Sequence, residues 1–475
     1  MKHRYLLLVL AAAHFACSTT VVAQQFGVDM PSESGDSKFP VSETTINSWV
    51  FGDQPDLANV YRHGWGIWAG LQTKTGNSTY FGLDNARVYQ TWMSPGGIID
   101  LMEGEKSAPL LLRTPNQFSK GVNTASLFDK SNATKTGIPI DYSIAEVVAY
   151  SPTSAKHAFT NKLLYTNVLD TYIKEGYTVI PRFPNTTVNI KPVYKLVTPD
   201  ETFERDGKTL FAMPAWPGTP DVSNWTAQQK TVGYGPRQWG QCSYIDVNQK
   251  GPSRANGIDK SCSSPNANNT YGLGDFIYIK ITKEDQVYFK ALVGEPGGTL
   301  VPGDLLVLVG MHVTSRETER WTWQTFWWSA NPDKPLAPSK VDIAKQRPSD
   351  LPWDAAHYAM ASAYSMLIPA QPLIGGKNVG SLLPAYNPHL EAGFGSGVFG
   401  ISHAVRTPSG KVTTDLGVES NCMTCHGLAG YLTDNPNYAS NFYVPRNDAA
   451  LSDGIDVDFA WSIAVEAVAE PKSKP

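Results

Sequence analysis

Leu305-Leu306-Val307-Leu308-Val309-Gly310-Met311-His312-Val313 is a nearly unbroken apolar run directly after Pro302-Gly303. A short apolar run bounded by turn residues reads as a strand buried on both faces. A second strand follows from Arg320 to Trp328. Side chains alternate along a strand, which puts Trp321, Trp323 and Trp327 on one face and Phe326 and Trp328 on the other. Upstream, Thr187 to Tyr194 and Phe276 to Ile281 alternate in the same way. Together these segments predict a β-rich domain, sandwich- or barrel-like, over residues 24–330. Its N-terminal part, to about Tyr150, is loop-rich. Within it, Tyr61 to Ala69 reads as a short helix or an aromatic-lined turn. Residues 158–175 read as a helix, with Leu163, Leu164, Val168, Leu169 and Tyr172 near helical spacing.

After that domain the text changes. Pro332, Pro335, Pro338, Pro348 and Pro352 fall within a stretch poor in large apolar groups, so 331–352 reads as an extended connector. Residues 353–475 then read as a small, mainly helical domain. Trp353 to Leu367 is rich in Ala and Met, and Val457, Ala460, Trp461, Ala464, Val465 and Val468 follow the spacing of one helix face. The expected fold class is α+β.

Composition narrows the function classes. At 475 residues, with 41% hydrophobic, 11% aromatic and 17% charged residues, the chain can bury a sizeable core and is neither coiled coil nor charged disordered polymer. A formal net charge of −4 argues against holding nucleic acid or an anionic membrane surface.

Lys2, His3 and Arg4 precede an apolar run from Leu6 to Ala13, and Val21-Val22-Ala23 ends in a small residue. This pattern predicts a secretory signal over 1–23, and hence a periplasmic or secreted protein. The rival reading, lipidation at Cys17, is disfavoured by the residues before it, His14-Phe15-Ala16. No later stretch approaches the length of apolar chain that a transmembrane helix needs.

Four cysteines remain. Cys242 and Cys262 flank a polar Gly/Asn/Ser loop, and in an exported chain they predict a disulfide. Cys422-Met423-Thr424-Cys425-His426 is C-x-x-C-H, the attachment sequence of c-type haem. On a helical turn two cysteines three apart aim their sulfurs the same way, toward the two vinyl groups of one porphyrin, and the following His reaches the iron. The competing readings are a thioredoxin-like redox pair, which lacks a βαβ setting, and a structural zinc, which lacks a second ligand pair. Cys422, Cys425 and His426 are therefore the expected cofactor ligands, with His426 on the metal.

The other axial position of the iron is open in the sequence. Residues 427–475 hold no Met and no His, and Met423 lies inside the attachment loop. Upstream candidates are His403, His389, Met360, Met366, His357, His312 and His63, beside the possibility of no ligand. Tyr431, Tyr438, Tyr443 and Arg446 are further residues that could lie near a haem.

Leu308 to Val313, followed by Trp321-Thr322-Trp323-Gln324-Thr325-Phe326 and then C-x-x-C-H, resembles a group of exported bacterial cytochrome c family proteins. That group often shows an LVGLH strand and a WxWxTFEH strand. Trp327-Trp328 departs from it where relatives carry an acidic residue and His, while Asp458-Phe459-Ala460-Trp461-Ser462 resembles its closing helix. The resemblance implies one covalent haem c in a two-part architecture and no defined substrate. The expected role is electron transfer with a redox partner protein. The alternatives are a haem-dependent oxidoreductase of peroxide or nitrogen oxides, with an open or weakly ligated iron, and a glycan- or partner-binding module presenting exposed Trp residues.

Overall fold

The computed structural model describes residues 26–51, 55–76, 79–80, 82–105, 110–113, 144–222, 225–287, 289–292, 300–368, 381–394, 418, 420–432 and 454–471. The expected signal segment, with Cys17, lies outside them. Mixed helices and several sheets make the fold α+β, as expected. Among the described residues no helix is long and apolar enough to cross a membrane.

The strand Leu305–Ser315 is the axis of the molecule. Along one edge it pairs antiparallel with Val188–Val197 throughout, and along the other with Tyr278–Lys280 and then Thr322–Trp328. Pairing on both edges and packing on both faces explain its unbroken apolar text. Outward on one side come Ile144–Glu146, Leu110–Arg113 and Phe289–Leu292, and on the other Tyr358–Ser362; Ala149–Tyr150 pairs beside them with Val188–Val197. Among the described residues the path is open rather than closed into a barrel. A second sheet orders Thr270–Gly272, Cys242–Asp246, Lys208–Pro214 and Phe203–Arg205, and Cys242–Cys262 is a disulfide with Cα atoms 5.0 Å apart. Phe211, Met213, Ile245 and Tyr271 of this sheet join the core under one face of the central sheet.

The two faces of the central sheet bury different things. Met311, Phe326 and Met360 stand opposite one another across three strands and face a helix, Leu57–Gln72, where the sequence suggests a short helix or turn. Asp56 caps that helix, its carboxylate accepting from the Asn59 amide at 3.1 Å. Trp68 stacks on Phe326 with ring centroids 4.4 Å apart. Trp65 and Trp68 donate their indole N–H groups to the carbonyls of Ile343 and Ala355, so the proline-rich stretch is tied to the helix. Gly64 lets helix and sheet touch, since a Cβ there would lie 2.9 Å from Met360 Sδ. Trp321, Trp323 and Trp327 face the other way, as the alternation predicts. They pack with Ala359, Ala361 and Ala363, with Ala155 and Ala158 of the helix Pro152–Thr160, Leu169 of the helix Thr166–Lys174, and Leu163 and Leu164 of the segment joining them.

Three expectations are corrected. Residues 158–175 are not one helix. Lys162 takes φ 51° between the two helices, and the joining segment bonds to the C-terminal chain through Thr166 N to Val468 O and Val468 N to Leu164 O. Trp353 to Leu367 is not a helix either. One turn, Trp353–Ala356, leads into the buried strand Tyr358–Ser362, where tertiary pairing overrides the helix preference of Ala and Met. The closing helix is only Trp461–Glu466, because Ile455–Asp456 pairs as a strand with Gly430–Tyr431 and Val468 bridges to Tyr165. Among the described residues the chain after 352 thus forms no small separate helical domain.

Candidate cofactor site

Cys422–His426 forms one helical turn, and Asn421 is the reason it forms there. Asn421 Oδ1 accepts from the amides of Met423 at 2.9 Å and Thr424 at 3.2 Å, while its Nδ2 donates to the carbonyls of Leu383 at 2.6 Å and Ser365 at 3.3 Å. This one buried amide therefore starts the helix and fastens it to the body of the protein. Positions i, i+3 and i+4 share a face. Cys422, Cys425 and His426 line a cavity on that face, while Met423 and Thr424 turn into the interior.

The donor chemistry is specific. The sulfurs of Cys422 and Cys425 are not bonded to each other. Burial pushes both thiols well above their ordinary pKa, and the Glu391 carboxylate adds to the shift. They are protonated thiols, unlike the low-pKa cysteine of a redox pair. Burial pulls the His426 imidazole down to about 4, so the ring is neutral near pH 7. Its Nδ1–H donates to the Phe459 carbonyl at 2.8 Å, and Nε2, with its lone pair, carries no hydrogen bond among the described residues. The ring lies against Trp323, centroids 4.3 Å apart.

Phe459 reaches that carbonyl position through unusual backbone. Asp458 and Phe459 sit at φ 51° and 67°, a left-handed conformation costly for side-chain-bearing residues. The buried Asp458 carboxylate holds them there. It accepts from the Phe183 amide at 3.0 Å and Arg316 Nε at 3.2 Å, and lies 3.8 Å from Arg182 Nη1. Trp461 adds an indole N–H to the Cys425 carbonyl at 3.3 Å.

The cavity is open to solvent at its mouth and holds about 160 Å3 of water-accessible space. The helix wall carries Cys422, Cys425 and His426; the sheet wall carries Asn189, Lys191, His312, Thr314, Trp323 and Gln324; the Phe459–Ser462 segment borders both. An ion pair and a hydrogen bond stand on the sheet wall, Lys191 Nζ to Glu146 at 2.7 Å and His312 Nε2 to Glu391 at 2.8 Å. Burial alone would raise the Glu391 carboxyl. His312 and the Asn387 amide, 2.6 Å away, more than offset it, so Glu391 is ionised and His312 Nε2–H must be the donor.

Two thiols and one imidazole with a free Nε2, all bordering one open cavity, fit a covalently attached haem. Cys422 and Cys425 would hold the vinyl side and His426 the iron. Among the described residues no group of three or more His, Cys, Asp or Glu could hold a bare metal ion. A haem iron takes its equatorial ligands from the porphyrin and needs no such group.

The structure sorts the other axial candidates. His389 packs against Trp239 at 5.1 Å, its pKa pulled down by burial to about 3. Met360 faces the opposite core, and Met366 is buried away from the cavity wall. His357 lies between Trp328 and Asp275, 3.7 Å from the carboxylate, and His63 bonds Glu317 at 3.0 Å. His312 alone of the described candidates borders the cavity. His403, Tyr438, Tyr443 and Arg446 lie outside the described residues, and Tyr431 donates to Asp170 at 3.2 Å. Sequence reasoning missed Asn421, Lys191, Glu391 and the Phe459 carbonyl. Their signals are long-range register and a backbone group, which no local motif records. No protein-family model, no curated protein and no solved structure matches the chain, so its site geometry stands alone as the guide to function.

Proposed function

We propose that this protein is an exported c-type cytochrome that carries one haem and works in electron transfer with a redox partner protein. The observation that carries the reading is the shared face of Cys422, Cys425 and His426, with His426 Nδ1–H committed to Phe459 and Nε2 left to the cavity. Bound there, the haem supplies a one-electron iron couple. The chain's own residues do the rest. Cys422 and Cys425 prevent dissociation, Asn421 and Asp458 fix the turn and the proximal carbonyl, and Trp323 restrains the His426 ring. The Cys242–Cys262 disulfide is compatible with an oxidising compartment. The haem-bearing segment is then a flap folded onto the sheet.

A haem-dependent oxidoreductase is the second reading, favoured by the polar groups Lys191 and His312 on the cavity wall. The glycan-module reading loses its basis, because Trp321, Trp323, Trp327 and Trp328 are all buried. The test uses full-length protein from a host competent in cytochrome maturation. A pyridine haemochrome spectrum of the two-thioether type, lost in C422A/C425A, is expected; a spectrum of unattached haem, or none, would contradict the proposal. Carbon monoxide binding by the ferrous protein without prior denaturation would favour the oxidoreductase.

A further inference from the structure

We infer that His312, on the sheet wall of the cavity, is the second axial ligand of the haem iron, bound through Nδ1. The inference rests on the haem reading above and adds the identity of the opposite ligand. Four side chains on or beside the sheet wall could reach a metal: His312, Lys191 and Glu146 on its strands and Glu391 next to them. Lys191 Nζ is already committed to Glu146 at 2.7 Å and would have to give up that partner. Glu391 already receives His312 and the Asn387 amide. His312 is left with the electronic arrangement a ligand needs. Its Nε2–H is committed to a carboxylate, which fixes the tautomer, and Nδ1 carries no hydrogen bond among the described residues.

The surroundings hold this pair in place. Glu391 is delivered by a segment pinned through Asn387, whose Nδ2 donates to Thr325 Oγ1 and the Phe326 carbonyl, both at 2.9 Å. Asn387 lies on Gly310, where a Cβ would come within 2.6 Å of its Nδ2. His426 and His312 therefore border the cavity with mirrored roles. Each commits one ring nitrogen to a fixed oxygen and keeps the other's lone pair.

The experiment is near-infrared magnetic circular dichroism and electron paramagnetic resonance of the ferric holoprotein, wild type and variants. Expected are a low-spin bis-imidazole signature in the wild type, a high-spin iron in H312A that binds carbon monoxide when reduced, and return to low spin on adding imidazole. E391Q should stay low-spin with a raised reduction potential, since the imidazole loses its carboxylate. A wild-type signature of imidazole–amine, imidazole–thioether or high-spin iron would overturn the assignment, as would H312A remaining low-spin or H403A being the variant that turns high-spin. If H312A fails to mature, the wild-type spectrum decides. Absence of covalent haem altogether would instead sink the underlying haem reading, and this inference with it.

Discussion

The two faces of the central sheet are made by the same strands and packed by different rules. One face is filled edge to edge: Met311, Phe326 and Met360 meet Trp65 and Trp68, all at most 2% exposed. The other carries Trp321, Trp323 and Trp327, packed with Ala359 and Ala361 into a second core, but also Gly310, His312 and Thr314 on the central strand with Thr325 beside them. Small and polar side chains there leave the space that the Cys422–His426 turn borders. The lesson is that a sheet can fill one face completely and leave part of the other open as a cavity, with backbone pairing in between carrying both.

Mutations should separate the faces. Phe326→Ala removes a ring stacked on Trp68 and is expected to cost about 3–5 kcal/mol in denaturant unfolding while leaving covalent haem content per folded molecule unchanged. If haem attachment fell and stability did not, the division would be wrong. Gly310→Ala acts on the opposite side. Its Cβ would displace Asn387 and with it Glu391, at a cost of about 1–3 kcal/mol, and it should perturb the haem spectrum, which Phe326→Ala should not.

Acid sharpens the contrast further. Glu391 is held below its ordinary value of 4.5, so its contribution is complete above that pH and is lost as pH falls through the lowered folded value. Burial pushes Tyr194 and Tyr358 on the filled face far upward, so they stay neutral and do not respond to acid. As pH is lowered below 4.5, hydrogen exchange should therefore rise first around Asn387–Glu391. E391Q should flatten that response, and equal loosening of both faces would count against the division.

How much of this the sequence discloses depends on where each signal resides. Leu305–Ser315 is legible through its apolar run Leu305–Val309, buried on both faces, and Thr322–Trp328 through its alternating aromatics, and the parity of the tryptophans is correct. Tyr358–Ser362 is misread as helix because Ala and Met favour helices in isolation. The alternation of large and small in Tyr358-Ala359-Met360-Ala361-Ser362-Ala363-Tyr364 is the strand signal, and it matters only once a neighbouring strand is placed. Cys422, Cys425 and His426 are legible as a local spacing. His312 could not be singled out from seven candidates, because its place on the cavity wall depends on the register with Lys191 and Thr325. The Phe459 carbonyl has no side-chain signature at all, although the left-handed backbone at Asp458 and Phe459 marks it in the structure.

The most direct test of the central claim is the intact mass of the full-length chain, purified from a maturation-competent host, denatured and extracted with acidified organic solvent. The account predicts a chain heavier by one haem, with that added mass missing from the C422A/C425A protein. A wild-type chain at the mass of its polypeptide alone, colourless after extraction, would contradict it.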